Sequence, residues 1–147
     1  MDYQIRKISA SETTILRQLI LRPHQQIHQC VYPHDDTPET FHLGAYIKER
    51  QIGIASFLFD SHPQLPEPDS QYRIRGMATL SEFRNLGIGK AMLQEGISIL
   101  KHKHAKRVWC NARESAFGFY EQKGFKTLGE MFDLPGIGPH KVLWRNV

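Results

Sequence analysis

Arg84-Asn85-Leu86-Gly87-Ile88-Gly89-Lys90-Ala91 is the stretch whose reading decides the fold. The strand-like run Tyr72-Arg73-Ile74-Arg75-Gly76-Met77-Ala78-Thr79-Leu80 leads into it, and a helix-like run from Ala91 to about Leu100 leaves it. A strand, a glycine-containing turn and a helix start make an anion site from backbone alone. The first N–H groups of a helix have no partner inside it and carry partial positive charge. Glycine lets that backbone approach a bound phosphate closely. Spacing sorts the candidates. A P-loop needs glycine where Arg84 stands and Ser or Thr where Ala91 stands. A dinucleotide fingerprint needs a third glycine where Met92 stands. What remains is Arg-x-x-Gly-x-Gly, carried by Arg84, Gly87 and Gly89, or a plain glycine-rich strand–turn–helix start that holds no ligand.

Working outward, 147 residues suit a single domain, 1–147, with a proper core. Hydrophobic content of 40% and charged content of 23% fit a globular chain. No apolar stretch is long enough to span a bilayer, and Met1-Asp2-Tyr3-Gln4-Ile5-Arg6-Lys7 has no apolar signal core. A cytoplasmic protein with no membrane partner is expected. Cys30 and Cys110 lie far apart, without metal spacing or a disulfide framework, so two reduced thiols and no metal are expected. The formal charge of +4 leaves nucleic acid open, but the basic residues are scattered. Their densest run, Lys101-His102-Lys103-His104-Ala105-Lys106-Arg107, sits at a helix C-terminus, where cations suit the helix dipole. No aromatic interleaving marks a base-stacking surface. A small anionic ligand explains the basicity equally well, and no nucleic-acid partner is expected.

Along the chain, Tyr3 to Ile8 reads as a strand. Ser11 can cap a helix with Ile15, Leu16, Leu19 and Ile20 on one face, ending near Leu21 or Arg22 ahead of Pro23. His24 to Thr40 is a polar loop. Phe41–Lys48 and Ile52–Phe59 form a hairpin, and the proline-rich Ser61–Ser70 is a loop. In the next strand Arg73, Arg75, Met77 and Thr79 share a face if it is regular, and Gly76 invites a bulge. Arginines inside a strand need a carboxylate, solvent or an anionic ligand; Arg75, deeper in the apolar run, leans to the ligand. Leu93, Gly96, Ile97 and Leu100 give the following helix its packed face. Val108-Trp109-Cys110 is a short strand. Asn111 can cap a helix of roughly 115–123, with Gly124 just past its end. Phe125–Leu128 is a strand, Pro135–Pro139 a tight turn and Lys141–Arg145 the last strand. The alternation means an α/β domain with a mixed sheet.

Three stretches together resemble the GNAT acetyltransferases. They are the Arg84–Ala91 loop, Asn111-Ala112-Arg113 through Ala116, and Phe119-Tyr120-Glu121-Gln122-Lys123-Gly124-Phe125. A narrower likeness covers most of the chain. Leu21-Arg22-Pro23, His42-Leu43-Gly44, Ile54-Ala55-Ser56-Phe57, Arg75-Gly76-Met77-Ala78-Thr79-Leu80, Trp109 to Arg113 and Gly138-Pro139-His140 are similar to the bacterial glyphosate N-acetyltransferase group. The chain departs from that group at Phe119, where a second tyrosine is expected, and in the His24–Asp36 loop.

The resemblance implies a GNAT fold: a mixed, mostly antiparallel sheet flanked by helices, with a bulged central strand that splays from its neighbour. It implies acetyl-CoA as co-substrate and a small amine as acceptor, in a monomer or homodimer. Acetyl-CoA would pair with backbone at Met77, Ala78 and Thr79. Its pyrophosphate would sit on Arg84, Asn85, Leu86, Gly87, Ile88, Gly89, Lys90 and Ala91, with Asn111 and Phe117 also on the cofactor side. Arg22, Arg75 and Arg113 would hold the anionic groups of the acceptor. His140 would be the base and Tyr120 the group facing the departing thiolate.

Aminolysis of a thioester fits those residue types. An ammonium has no lone pair, so a base must take its proton, and a histidine imidazole can do so near neutrality. A phenol with a pKa of about 10 stays protonated there and can donate to sulfur. Guanidinium binds carboxylate and phosphonate oxygens in pairs. The expected reaction is direct acetyl transfer without an acyl-enzyme. Two alternatives stand beside it: an acyl-CoA-binding or regulatory domain without turnover, and acetylation of peptide or protein amines.

Overall fold

The computed structural model describes residues 2–147; Met1, the first residue of the stretch without a signal core, lies outside them. Seven strands form one sheet in the order β1-β2-β3-β4-β5-β7-β6. They are β1 Gln4–Ile8, β2 Phe41–Ile47, β3 Arg50–Leu58, β4 Gln71–Thr79, β5 Arg107–Arg113, β6 Lys126–Leu134 and β7 Gly138–Asn146. Every neighbouring pair is antiparallel except β4 with β5. The parallel pair needs a crossover, and helix α2, Ile88–His102, provides it.

The centre of the sheet is apolar on both faces, as the unbroken run through β3 requires. Phe41, Phe57, Ile74, Met92, Leu93, Leu100, Val108 and Leu143 form the core between the sheet and α2. Gly96 sets how close the helix comes: a Cβ there would lie 2.0 Å from Cζ of Phe57. Helix α3, Phe117–Glu121, ends on Gly124 at φ +85°. Gly124 N–H donates to the Glu121 carbonyl and Phe125 N–H to that of Tyr120, a Schellman closure that turns the chain into β6.

Four expectations change. The first helical segment is a 3₁₀ turn, Ala10–Thr13, then α1, Thr14–Leu16, then a π turn, Arg17–Leu21. Ser9, not Ser11, opens it, in a reciprocal cap with Glu12. Of the expected face Leu16 is buried and Ile20 packs against its cluster, but Ile15 and Leu19 are 63% and 57% exposed, and Thr13 and Arg17 complete the buried side. Helix α2 starts at Ile88 rather than Ala91, because Gly87 at φ +83° is its N-cap. Asn111 lies within β5 and caps nothing, since β5 continues to Arg113 by pairing with β7. Finally, β6 and β7 form one long hairpin around Pro135–Ile137, with the ladder broken between Leu128 and Phe132 at Gly129, φ +73°.

Candidate active site

Strands β4 and β5 pair only at Gln71–Arg73 with Arg107–Trp109. Beyond that point they part, and β5 continues on β7 alone. The cause lies in β4. Against β3, Ala78 pairs with Ile54 and Arg75 with Ser56, so β4 carries one extra residue. Gly76 takes it up at φ +65°, and a Cβ there would also lie 3.0 Å from the Tyr32 ring and hydroxyl. The bulge reverses the alternation: Ile74 and Met77 both pack towards α2, whereas Ala78 packs with Leu16 on the other side. Arg75 and Met77 therefore do not share a face.

The loop after β4 has the anion-site geometry. Arg84 Nε donates to the Thr79 carbonyl over 3.2 Å, folding the loop back on the strand end. Asn85 is left-handed at φ +63°. Ala91 N–H donates to the Gly87 carbonyl, while the N–H groups of Ile88, Gly89 and Lys90 precede the first helical bond, and no side chain caps them. A Cβ on Gly89 would reach Met77 Sδ and Phe119 Cζ at 3.9 Å, so loop, bulged strand and α3 converge here.

In the opening between the strands lies a cavity of about 470 Å³. Arg22, Arg75, Arg113, Tyr120, His140, Met77 and Asn111 line it, together with Tyr32, Arg73 and Cys110, and no Asp or Glu does. Ala78 and Thr79 continue β4 against Ile54 and Gly53 and are outside the lining, as are the residues from Arg84 to Ala91. Phe117 packs on the core beneath the Lys141 ammonium, 5.6 Å from its ring centre, and does not reach the cavity.

His140 is 4% exposed, and its Nδ1 is 2.8 Å from the Gly138 carbonyl. A carbonyl only accepts, so Nδ1 carries the hydrogen. The neutral ring then keeps its lone pair on Nε2, the form a proton acceptor needs. β7 holds His140 directly opposite Arg113 on β5. The Tyr120 ring meets Phe119 and Phe125 edge-on at 5.1 Å each. Burial, then the adjacent Cys110 thiol, holds its phenol well above the ordinary tyrosine value. Burial likewise pushes the Cys110 thiol up to about 12, which leaves it a poor nucleophile.

Long-range contacts hold the cavity's outer wall. Arg17 is fully buried and grips Asp35 at two points, 2.8 and 2.9 Å. It also donates to the Cys30 carbonyl and Ser56 Oγ. Ser56 Oγ is 2.7 Å from His42 Nδ1, and His42 Nε2 is 3.0 Å from the Asp35 carbonyl. Asp35 in turn accepts the Tyr32 N–H. Tyr32 is thereby fixed with the guanidinium carbons of Arg17 and Arg75 at 3.8 and 4.0 Å from its ring centre. No local pattern announces the role of Arg17, because its hydrogen-bond partners lie 13 to 39 residues away.

Comparison with known proteins agrees with this geometry. The model of the acetyltransferase (GNAT) family matches residues 4–125. An uncharacterized N-acetyltransferase of Bacillus subtilis (strain 168), YitI, is 42% identical over 144 residues, covering 98% of this chain and 96% of that one. Among solved structures, Escherichia coli ElaA superposes with a TM-score of 0.78 at 18% identity, over 98% of this chain and 99% of that one. An aminoglycoside 6'-N-acetyltransferase solved with coenzyme A superposes at 0.75 and 12% identity, over 97% and 96%. The family uses acetyl-CoA as its co-substrate, and the uncapped start of α2 beside a splayed β4 suits such a ligand. Sequence match, sheet order and bulged strand together make this chain a member of the GNAT acetyltransferase family.

Proposed function

We propose that the chain is a single N-acetyltransferase domain. It moves the acetyl group of acetyl-CoA directly to the amine of a small acceptor bearing carboxylate or phosphonate groups, like the glyphosate N-acetyltransferase group. One observation carries this reading: Arg22, Arg75, Arg113 and His140 line a single cavity that no carboxylate lines. The side chains of those arginines have no hydrogen-bonded protein partner among the described residues, so their donors are free for an anion. A cationic lysine side chain would meet repulsion there.

Acetyl-CoA supplies the thioester carbonyl. His140 takes the proton of the attacking amine at Nε2 as the N–C bond forms. Tyr120, protonated, donates to sulfur as the C–S bond breaks. The products are an acetamide and CoA thiol, and the proton taken by His140 is returned through solvent to the Tyr120 phenolate, so that both side chains end as they began. Cys110 takes no acetyl group, since its thiol stays protonated.

The test is release of CoA thiol from acetyl-CoA with phosphono-amino acids, acidic amino acids, polyamines and a lysine peptide. Turnover with the acidic amines supports the reading. Turnover confined to peptide or polyamine sinks the arginine-pocket argument. CoA release before any amine is added would replace direct transfer with an acyl-enzyme.

A further inference from the structure

Arg73 and Arg75 stand two residues apart on β4, and the neighbouring Tyr72 and Ile74 point into the core. Arg73 therefore lines the same cavity as Arg75, yet it is only partly satisfied. Its side chain is 20% exposed. The carboxylate it faces, on Asp60, is 3.6 Å from Nη1, an ion pair too long for a hydrogen bond. Asp60 is shared, with its other oxygen 3.7 Å from His34 Nε2. Arg73 Nε is buried and has no partner among the described residues. Its guanidinium carbon lies 5.0 Å from the Trp109 ring centre, a contact that orients the group but accepts no N–H. Nη1 and Nη2 make no hydrogen bond among the described residues and, unlike Nε, are not fully buried, so these are the donors open to an anionic acceptor in the cavity.

Register places this cation relative to His140. Arg73 pairs with Trp109 at the end of the β4–β5 ladder, where the cleft is still closed. His140 lies opposite Arg113 on the same β5, about 13 Å further along the strand at roughly 3.3 Å per residue. We infer that Arg73 is a fourth acceptor-binding arginine, taking an anionic group remote from the reacting amine, so that the preferred acceptor carries at least two anionic groups. This rests on the acidic-amine reading above. It extends that reading from acidic amines in general to amino dicarboxylates and carboxylate–phosphonate amines. It also accounts for a cavity that gathers four arginines without an acid in its lining. Burial, and after it the charge of Arg73, already makes the Arg75 guanidinium easier to deprotonate than usual, and a second anion relieves that repulsion.

The test compares acceptors matched in amine but differing in charge: glycine against aspartate, glutamate and a phosphono-amino acid. Wild type, Arg73→Gln and Arg73→Lys are assayed by CoA-thiol release, with the KM for acetyl-CoA and thermal melting as controls. Wild type should prefer the dianions. Arg73→Gln should shrink that preference roughly ten-fold or more through KM, the size of one lost charge-assisted bond. Arg73→Lys should restore part of it, since lysine keeps the charge and loses the fork. A preference that survives Arg73→Gln, or a KM that rises equally for glycine and the dianions, overturns the role of Arg73 and leaves the acidic-amine reading standing. No turnover of any acidic amine by wild type overturns both.

Discussion

Arg17 and Asp35 meet as a two-point ion pair inside the protein, with side chains 0% and 5% exposed. The pair ties the first helical segment to the loop that carries Tyr32, and Tyr32 backs Arg75. Burial raises the Asp35 carboxyl, but the bonds from Arg17 and the Tyr32 N–H outweigh it and leave its pKa below the ordinary value. A folded-state value below the unfolded one contributes stability above the unfolded pKa, about 3.9. That contribution is lost as pH falls from there through the folded value. Asp35→Asn leaves a buried arginine uncompensated, which costs about 3–5 kcal/mol, on the order of 10 °C in Tm. Thermal melting across pH checks this: the gap between wild type and variant should be wide near neutrality and narrow below about pH 4. A gap that stays constant into acid would show that the pair contributes no proton-linked stability.

The bond between His140 Nδ1 and the Gly138 carbonyl fixes a tautomer with a free lone pair on Nε2. His140→Ala should lower kcat roughly a hundred-fold or more near neutrality, the usual range for a general base. Alkaline pH should recover part of that loss, because the acceptor amine then arrives already neutral. The pH profile of kcat/KM for both proteins decides it. A loss that stays the same at every pH would assign His140 a packing role.

Gly96 predicts a sign. In an exposed helix, Gly→Ala stabilises by about 1 kcal/mol. Here the new methyl would overlap the Phe57 ring, which is itself fully buried and stacked on Phe41 at 4.9 Å. Gly96→Ala should therefore destabilise by about 1–3 kcal/mol in denaturant melts, as overpacking does. Adding Phe57→Leu should return part of the loss.

Much of this was legible in the sequence, and the failures have physical causes. Pattern alone found the β2–β3 hairpin, the bulge at Gly76 and the packed face of α2, where apolar spacing and glycine agree. In the first helical segment apolar spacing points to Ile15, Leu16, Leu19 and Ile20, of which Leu16 is buried and Ile20 packs beside it, while Thr13 and Arg17 stand on the buried side where Ile15 and Leu19 do not. A fully buried arginine occupies that face because Asp35 satisfies it from 18 residues away. The long β6–β7 hairpin was hidden because Gly129 breaks the ladder before it resumes at Phe132. Arg22, Arg113 and His140 came from family likeness, since no local feature separates them from surface cations. For Arg73 the sequence allows a carboxylate, solvent or a ligand, and only the fold shows its unbonded Nη donors and its place in the cavity.

Tyr120 separates an acid from a packing aromatic. Its ring packs in the core on Phe119 and Phe125, so removing the hydroxyl alone leaves the packing in place. Tyr120→Phe should keep the Tm and both KM values close to wild type and lower kcat roughly a hundred-fold, as loss of a general acid does. Burial, and next the Cys110 thiol, raises the phenol well above its ordinary value. A group with a raised pKa holds its proton at every pH below that value. Tyr120 therefore introduces no fall in wild-type kcat up to about pH 10, the ordinary tyrosine value. An alkaline fall near pH 8 that disappears in Tyr120→Phe would assign a lower pKa to this phenol and contradict the buried, proton-donating role.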